Sequence, residues 1–82
     1  MPYVYILECS NGTYYTGWTT DLEQRVIKHN AQKGSKYTRV YAPVKLVYFE
    51  EKEDKASCLR REYEIKKLTH LQKKELIKIR SL

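Results

Sequence analysis

Apolar, aromatic and β-branched positions crowd the first part of the chain in two short runs, Pro2 to Cys9 and Thr13 to Thr19, separated by Ser10-Asn11-Gly12. Two such runs around a glycine-containing break predict an antiparallel hairpin. The length of its loop decides which side chains share a face. A two-residue Asn11-Gly12 turn pairs Tyr5 with Trp18, whereas a three-residue Ser10-Asn11-Gly12 loop with a glycine bulge pairs Tyr5 with Gly17. Only the second puts Tyr5 and Tyr15 together, and Gly12 suits the left-handed position it requires.

From Thr20 onward the period changes. Thr20 followed three residues later by Glu23 is a capping box, opening a helix that carries Leu22 and Val26 on one face as far as about Gln32. Gly34-Ser35-Lys36 then marks a turn into a polar, basic loop that ends near Pro43. Val44 to Phe49 is apolar at nearly every position, the pattern of a strand covered on both faces, and predicts an internal third strand. Asp54 can cap a second long helix with Ala56, Leu59 and Tyr63 at helical spacing, and Thr69 with Gln72 forms a further capping box before Leu76 and Ile79. The sum is an α+β fold of order β-β-α-β-α-α, a small three-stranded antiparallel sheet flanked by helices.

Composition narrows the role. Eighty-two residues predict one domain spanning 1–82, and a chain of this size buries only about 60% of its unfolded surface. The eight tyrosines suit a half-exposed sheet, since each keeps a polar tip while burying a ring. Sixteen Lys and Arg against ten Asp and Glu give a net charge of +6, which favours a polyanionic partner, nucleic acid first. No apolar run of about 18 residues and no charged-then-apolar leader is present, so a soluble, cytoplasmic protein away from membranes is expected. Cys9 and Cys58 are too few for a disulfide framework and lack zinc-site spacing, so both read as reduced packing residues.

Tyr3-Val4-Tyr5 and Tyr15-Thr16-Gly17, followed by Arg25 and His29 on the first helix and Glu62 on the helix after the third strand, resemble the motifs of the GIY-YIG nucleases over nearly the whole chain. Two positions depart from that pattern. Tyr3 replaces the first glycine, and Trp18 stands where excision-repair members carry a basic residue, leaving Lys36 or Arg39 as substitutes. The stretch from Arg25 to His29-Asn30 looks more like the branch that holds structure-selective nucleases and short stand-alone bacterial proteins.

The resemblance implies a metal-dependent endonuclease that hydrolyses phosphodiester bonds in DNA, with a possible place in repair or recombination. Glu62 is then the ligand of one Mg²⁺ or Mn²⁺, a single carboxylate being enough for an ion that keeps several waters. Arg25 stabilises the charge of the transition state, and His29 orients or relays a proton. Tyr5 or Tyr15 lies beside the attacking water. An ionised base at neutral pH needs a tyrosine pKa lowered by about three units, with Arg25 and a bound ion as the sources. Sharing that task requires both hydroxyls on one face, which selects the bulged hairpin. Arg25 and His29, four residues apart, are expected to reach the same phosphate.

Each residue also has a plainer reading. Tyr5 and Tyr15 can be ordinary sheet aromatics, Glu62 can pair with Lys66, Arg25 with Asp21, and His29 can make a local hydrogen bond. Lys28, Lys33, Lys36 and Arg39 are candidates for tracking phosphates, with Tyr37 stacking on an unpaired base. Lys66, Lys67, Lys73, Lys74, Lys78 and Arg80 form a second basic set that can be no more than a solvated face. A catalytically inactive nucleic-acid-binding module is the main alternative, and RNA in place of DNA or a protein partner that targets the substrate stays open.

Overall fold

A computed structural model describes residues 1–80 of the chain. In order, the elements are strand β1 (Tyr3–Glu8), strand β2 (Tyr14–Thr19), helix α1 (Leu22–Asn30), helix α2 (Lys36–Tyr41), strand β3 (Lys45–Glu51), helix α3 (Lys55–Lys66) and helix α4 (His70–Arg80). The fold is the α+β arrangement expected from the pattern, with one six-residue helix added between α1 and β3.

The hairpin takes the bulged form. Tyr5 pairs with Gly17, Leu7 with Tyr15, and the loop is closed by Cys9 N–H to Thr13 O (2.8 Å) and Gly12 N–H to Cys9 O (2.9 Å). Gly12 has φ +83, the left-handed value that a residue without Cβ adopts at no steric cost.

Strand order is β2-β1-β3, so the internal strand is β1 and not β3. The apolar run at Val44 to Phe49 reflects coverage by helices, not hydrogen-bonded neighbours on both sides. A register shift between Ile6 and Leu7 leaves Val47 unpaired, so that the neighbours Val47 and Tyr48 pack in one core and Leu46 in the other. Beneath α1 and α2 lie Tyr5, Leu7, Cys9 and Val44 with Leu22 and Val26. On the other face Val4, Ile6 and Tyr48 pack with Cys58 and Ile65 of α3 and with Leu76 and Ile77 of α4. Both faces are therefore covered, where the tyrosine content suggested one wet face. Buried tyrosines keep their hydroxyls satisfied instead, Tyr5 by His29 and Tyr48 by Glu50.

Helix boundaries follow side-chain capping. Asp21, one residue later than expected, caps α1 by accepting from Gln24 N–H at 3.1 Å, and α1 ends two residues before Gln32, which has φ +64. Ser35 and Thr38 form a reciprocal capping box that starts α2 inside the segment read as loop. Thr69 and Gln72 cap each other's backbone as anticipated, at 3.1 and 2.9 Å, and Asp54 caps α3. The inward face of α3 is Cys58, Glu62 and Ile65, not Ala56, Leu59 and Tyr63; Leu59 and Tyr63 are 44% and 63% exposed. On α4, Ile77 takes the packing place expected of Ile79.

One polar tie sets α3 against β3. Arg61 Nε reaches both carboxylate oxygens of buried Glu50, at 3.0 and 3.1 Å, and Lys52 and the Tyr48 hydroxyl complete its partners. Burial by itself raises the Glu50 carboxyl, but hydrogen bonds from Lys52, Tyr48 and Arg61 outweigh that and hold it below the usual carboxylate range. This anchor fixes the turn of α3 that presents Glu62 to the opposite edge of the sheet.

Candidate active site

Gly17 is where the site begins. It faces Tyr5 across the hairpin, and a Cβ there would stand 2.6 Å from Tyr5 Oη and 3.2 Å from Tyr15 Cε2. Without that atom the Tyr5 ring lies over β2 towards the outer edge of the sheet. Tyr15, on the same face, has its ring 6.5 Å from that of Tyr5. The two tyrosines thus share a face as the bulged loop requires.

Behind Tyr5 sits His29, 1% exposed, with Nε2 3.0 Å from Tyr5 Oη and Nδ1 2.6 Å from Thr38 Oγ1. Gly34 closes over the imidazole so tightly that a Cβ would collide with the ring. Burial lowers the His29 pKa from its ordinary value and the charge of Arg25 lowers it further, so the ring is neutral at pH 7. Tyr5 moves the other way. Burial raises its hydroxyl well above the usual tyrosine value, Tyr15 and Glu62 add to that, and Arg25 opposes them without prevailing. Tyr5 is therefore not the pre-ionised base that the sequence reading called for.

Because β2 is an edge strand, groups from both faces of the sheet meet around it. A cleft of about 310 Å³ opens there, walled by Tyr5 and Tyr15, with Arg25 entering from α1 and Glu62 from α3. Gly17, Trp18, Thr19 and Thr20 form its floor and rim. The Arg25 N–H donates to Asp21 O (3.0 Å), and among the described residues no carboxylate pairs with its guanidinium. Glu62, its side chain 17% exposed, pairs with Lys66 at 3.3 Å, the plainer contact foreseen for it. A pair so open on the lysine side is worth a few tenths of a kcal/mol, on the order of other i,i+4 contacts, and does not hold the carboxylate away from the cleft.

The expected residues are not all brought together. Tyr5, Tyr15, Arg25 and Glu62 line one cleft, whereas His29 lies behind Tyr5 and does not share a phosphate-facing surface with Arg25. Lys28, Lys33, Lys36 and Arg39 are exposed and outside the lining of the cleft. Tyr37 stacks on Tyr15 (6.4 Å between rings), packs against Tyr41 and hydrogen-bonds Thr13. At Trp18 the nearby cation is Lys55 of α3, with Nζ 5.5 Å from the ring centroid, and not Lys36 or Arg39. Cys9 and Cys58 are free and buried, and burial raises both thiols, which makes them poor nucleophiles. Thr38 and Gly34 escape sequence reading, since nothing in their spacing points to a histidine across a turn.

Among the described residues no group of three or more His, Cys, Asp and Glu could hold a metal ion. Among the residues that line the cleft, Glu62 is the one carboxylate. No described helix is long and apolar enough to cross a membrane.

Comparison with known proteins agrees with this arrangement. The family model described as the GIY-YIG catalytic domain matches residues 1–75. A UPF0213 protein of Clostridium perfringens is 55% identical over 82 residues, covering 100% of this chain and 88% of its own, and one of Halobacterium salinarum is 53% identical over 76 residues, covering 93% and 99%. The solution NMR structure of a UPF0213 protein from Bacillus halodurans matches with TM-score 0.64 at 44% identity, over 99% of this chain and 87% of that one. A second NMR structure, of a protein from E. faecalis, gives TM-score 0.62 at 38% identity over 94% and 82%. With a catalytic-domain match along almost its whole length and relatives more than half identical, the chain belongs to the GIY-YIG nuclease family, beside the short stand-alone UPF0213 proteins.

Proposed function

We propose that the protein is a metal-dependent endonuclease that hydrolyses phosphodiester bonds in DNA. The observation that carries this reading is the convergence of Tyr5, Tyr15, Arg25 and Glu62 on one cleft, from two strands and two helices, with a neutral His29 bonded to Tyr5. Hydrolysis needs an acceptor for the proton of the attacking water, stabilisation of the charge growing on phosphorus oxygens, and help for the leaving oxygen.

Members of the family use divalent ions. Glu62 fits a single Mg²⁺ or Mn²⁺, because a lone half-buried carboxylate suits a cation that keeps several waters and takes a substrate phosphate as a ligand. When bound, the ion would supply Lewis-acid polarisation of that phosphate. Arg25 turns free guanidinium donors into the same cleft and stabilises charge on the phosphoryl oxygens. Tyr5 takes the proton of the attacking water on Oη while giving its own to Nε2 of His29, so the phenol never has to carry a charge in a site where burial opposes it. Tyr15, on the open side of the cleft, orients that water.

Lys28, Lys33, Lys36 and Arg39 would hold the DNA backbone beyond the cleft, joined by Lys55 at the Trp18 rim. A structure-selective role in repair or recombination, in the cytoplasm, is the setting we infer for this activity, since the site meets DNA through phosphate contacts. The test is cleavage of labelled single-stranded, duplex and branched DNA with Mg²⁺ or Mn²⁺ by wild type and Glu62→Ala at matched binding. Loss of cutting in the variant alone supports the reading. If neither cuts while both bind with a steep salt dependence, the protein is the inactive binding module.

A further inference from the structure

The hydrogen-bond chain that begins at Tyr5 does not stop at His29. His29 Nδ1 lies 2.6 Å from Thr38 Oγ1, and Thr38, His29 and Tyr5 are each exposed by 1% or less. At His29 and Thr38 no solvent enters to substitute for a missing partner. From Thr38 it runs on into the first turn of α2, to the backbone and side chain of Ser35.

We propose that Thr38 is a positioning residue of the active site: its hydroxyl accepts the Nδ1–H of His29 and so holds the imidazole in the tautomer whose Nε2 can take the proton of Tyr5. The consequence for catalysis rests on the nuclease reading above; the hydrogen-bond assignment does not.

Two chemical facts select this direction. A phenol is a far stronger acid than a neutral imidazole N–H, and an unprotonated imidazole nitrogen is a better acceptor than a phenol oxygen. At 3.0 Å the Tyr5 hydroxyl is therefore the donor and Nε2 the acceptor, which leaves the ring hydrogen on Nδ1. Thr38 has the capacity to receive it. Its oxygen accepts the Ser35 N–H at 3.2 Å with one lone pair, and its own hydrogen finds the Ser35 carbonyl at 3.4 Å or the Ser35 Oγ at 3.1 Å. The second lone pair then faces Nδ1.

The surrounding structure over-determines the pose. Ser35 Oγ accepts the Thr38 N–H at 3.1 Å, so the capping box that starts α2 also fixes the Thr38 side chain. Gly34 admits the imidazole edge against the turn, where any side chain would displace it. The short helix between α1 and β3 is thus the part that orients the histidine. In turnover one proton leaves water for Tyr5 Oη and the Tyr5 proton moves to Nε2 as the water oxygen bonds to phosphorus and the bond from phosphorus to the leaving oxygen breaks. The imidazolium keeps its Nδ1–H on Thr38, and the extra proton then returns through Tyr5 Oη and cleft water to the leaving oxygen, so that His29 is neutral again and charge and protons balance.

The test uses the ¹⁵N-labelled full chain and long-range ¹H–¹⁵N spectra of the imidazole, with DNA cleavage measured alongside. In the wild type Nδ1 of His29 is expected to carry the hydrogen and Nε2 to show the shift of an unprotonated, hydrogen-bonded nitrogen. Thr38→Val should populate the opposite tautomer and lower kcat roughly ten-fold with KM unchanged. Thr38→Ser should restore both the tautomer and kcat to within about three-fold. A wild type protonated on Nε2 overturns the proposal, whether or not the variants fold. A folded Thr38→Val that keeps the wild-type tautomer and kcat overturns it equally. If the wild type cuts no DNA, the nuclease reading falls while the spectra still decide what Thr38 does.

Discussion

At Gly17 and Gly34 the missing methyl group is what admits a ring: the Tyr5 phenol at one, the His29 imidazole at the other. Neither glycine has a positive φ, so their role is space and not backbone freedom. Gly17→Ala should push the Tyr5 hydroxyl off His29 Nε2, lower stability by about 1–3 kcal/mol and cut the cleavage rate on the order of 100-fold. Urea unfolding together with single-turnover cleavage checks this, and a variant with normal cleavage would mean the hydroxyl is dispensable. His29 adds a pH signature. Its pKa is lowered from 6.5, first by burial and then by Arg25, so the unfolded chain takes up its proton before the folded one does. Stability from this group is whole above pH 6.5 and erodes as pH falls below it, whereas Glu50, also held low, loses its contribution only below 4.5. The urea midpoint should therefore drop between about pH 7 and about pH 5 in the wild type, and the drop should shrink in His29→Gln. An equal drop in both proteins would assign it to another group.

Helix α3 shows how an element's face is chosen by what it must bury. By sequence Leu59 and Tyr63 look like its packing stripe, yet Cys58 and Ile65 are the buried pair, and Glu62 comes inward with them at i, i+4, i+7 spacing. What turns the helix this way is the Arg61 fork on buried Glu50, one residue from the proposed metal ligand. Arg61→Met should destabilise the fold by about 1–3 kcal/mol, less than for a wholly buried pair because Lys52 remains on Glu50 and Arg61 is partly exposed. Cleavage should fall with it, since Glu62 loses its register. Leu59→Lys, on the solvent side of the same helix, should change stability by no more than about 0.5 kcal/mol. Denaturant unfolding of the two variants side by side decides between an anchored helix and an interchangeable one.

Over the whole molecule the charge excess of +6 is spread across surfaces of unequal use. Lys28 and Lys33 lie on and just after the helix that carries Arg25, while Lys78 sits on α4, on the far side of the sheet. If DNA enters at the β2 edge, Lys28→Ala and Lys33→Ala should each reduce the slope of log binding constant against log salt by about 1, and Lys78→Ala should leave it unchanged. Fluorescence anisotropy titrations across a range of salt measure this directly. Equal losses for all three would mean that the basic surface binds as a diffuse cloud and that the cleft does not orient the backbone.

The resemblance to the GIY-YIG nucleases selected the bulged loop and grouped Tyr5, Tyr15, Arg25 and Glu62, while local pattern alone determined the hairpin, the caps at Asp54 and at Thr69 with Gln72, and the α+β order. These depend on interactions between residues close in the chain, or on spacings that a strand or helix converts directly into geometry. Tertiary structure decided the rest. Whether an apolar strand is central or at an edge depends on which strands pair, and β3 reads the same either way. Ser35 and Thr38 lack the Glu or Gln that marks a capping box, so the start of α2 was not legible in the sequence. His29 lies behind Tyr5, and not beside Arg25 at a phosphate, because burial and the hydrogen bond to Tyr5 of β1 outweigh the helical spacing that put the two on one side. Proton affinities came last of all, since desolvation is a property of the packed molecule and has no counterpart in a string of residues.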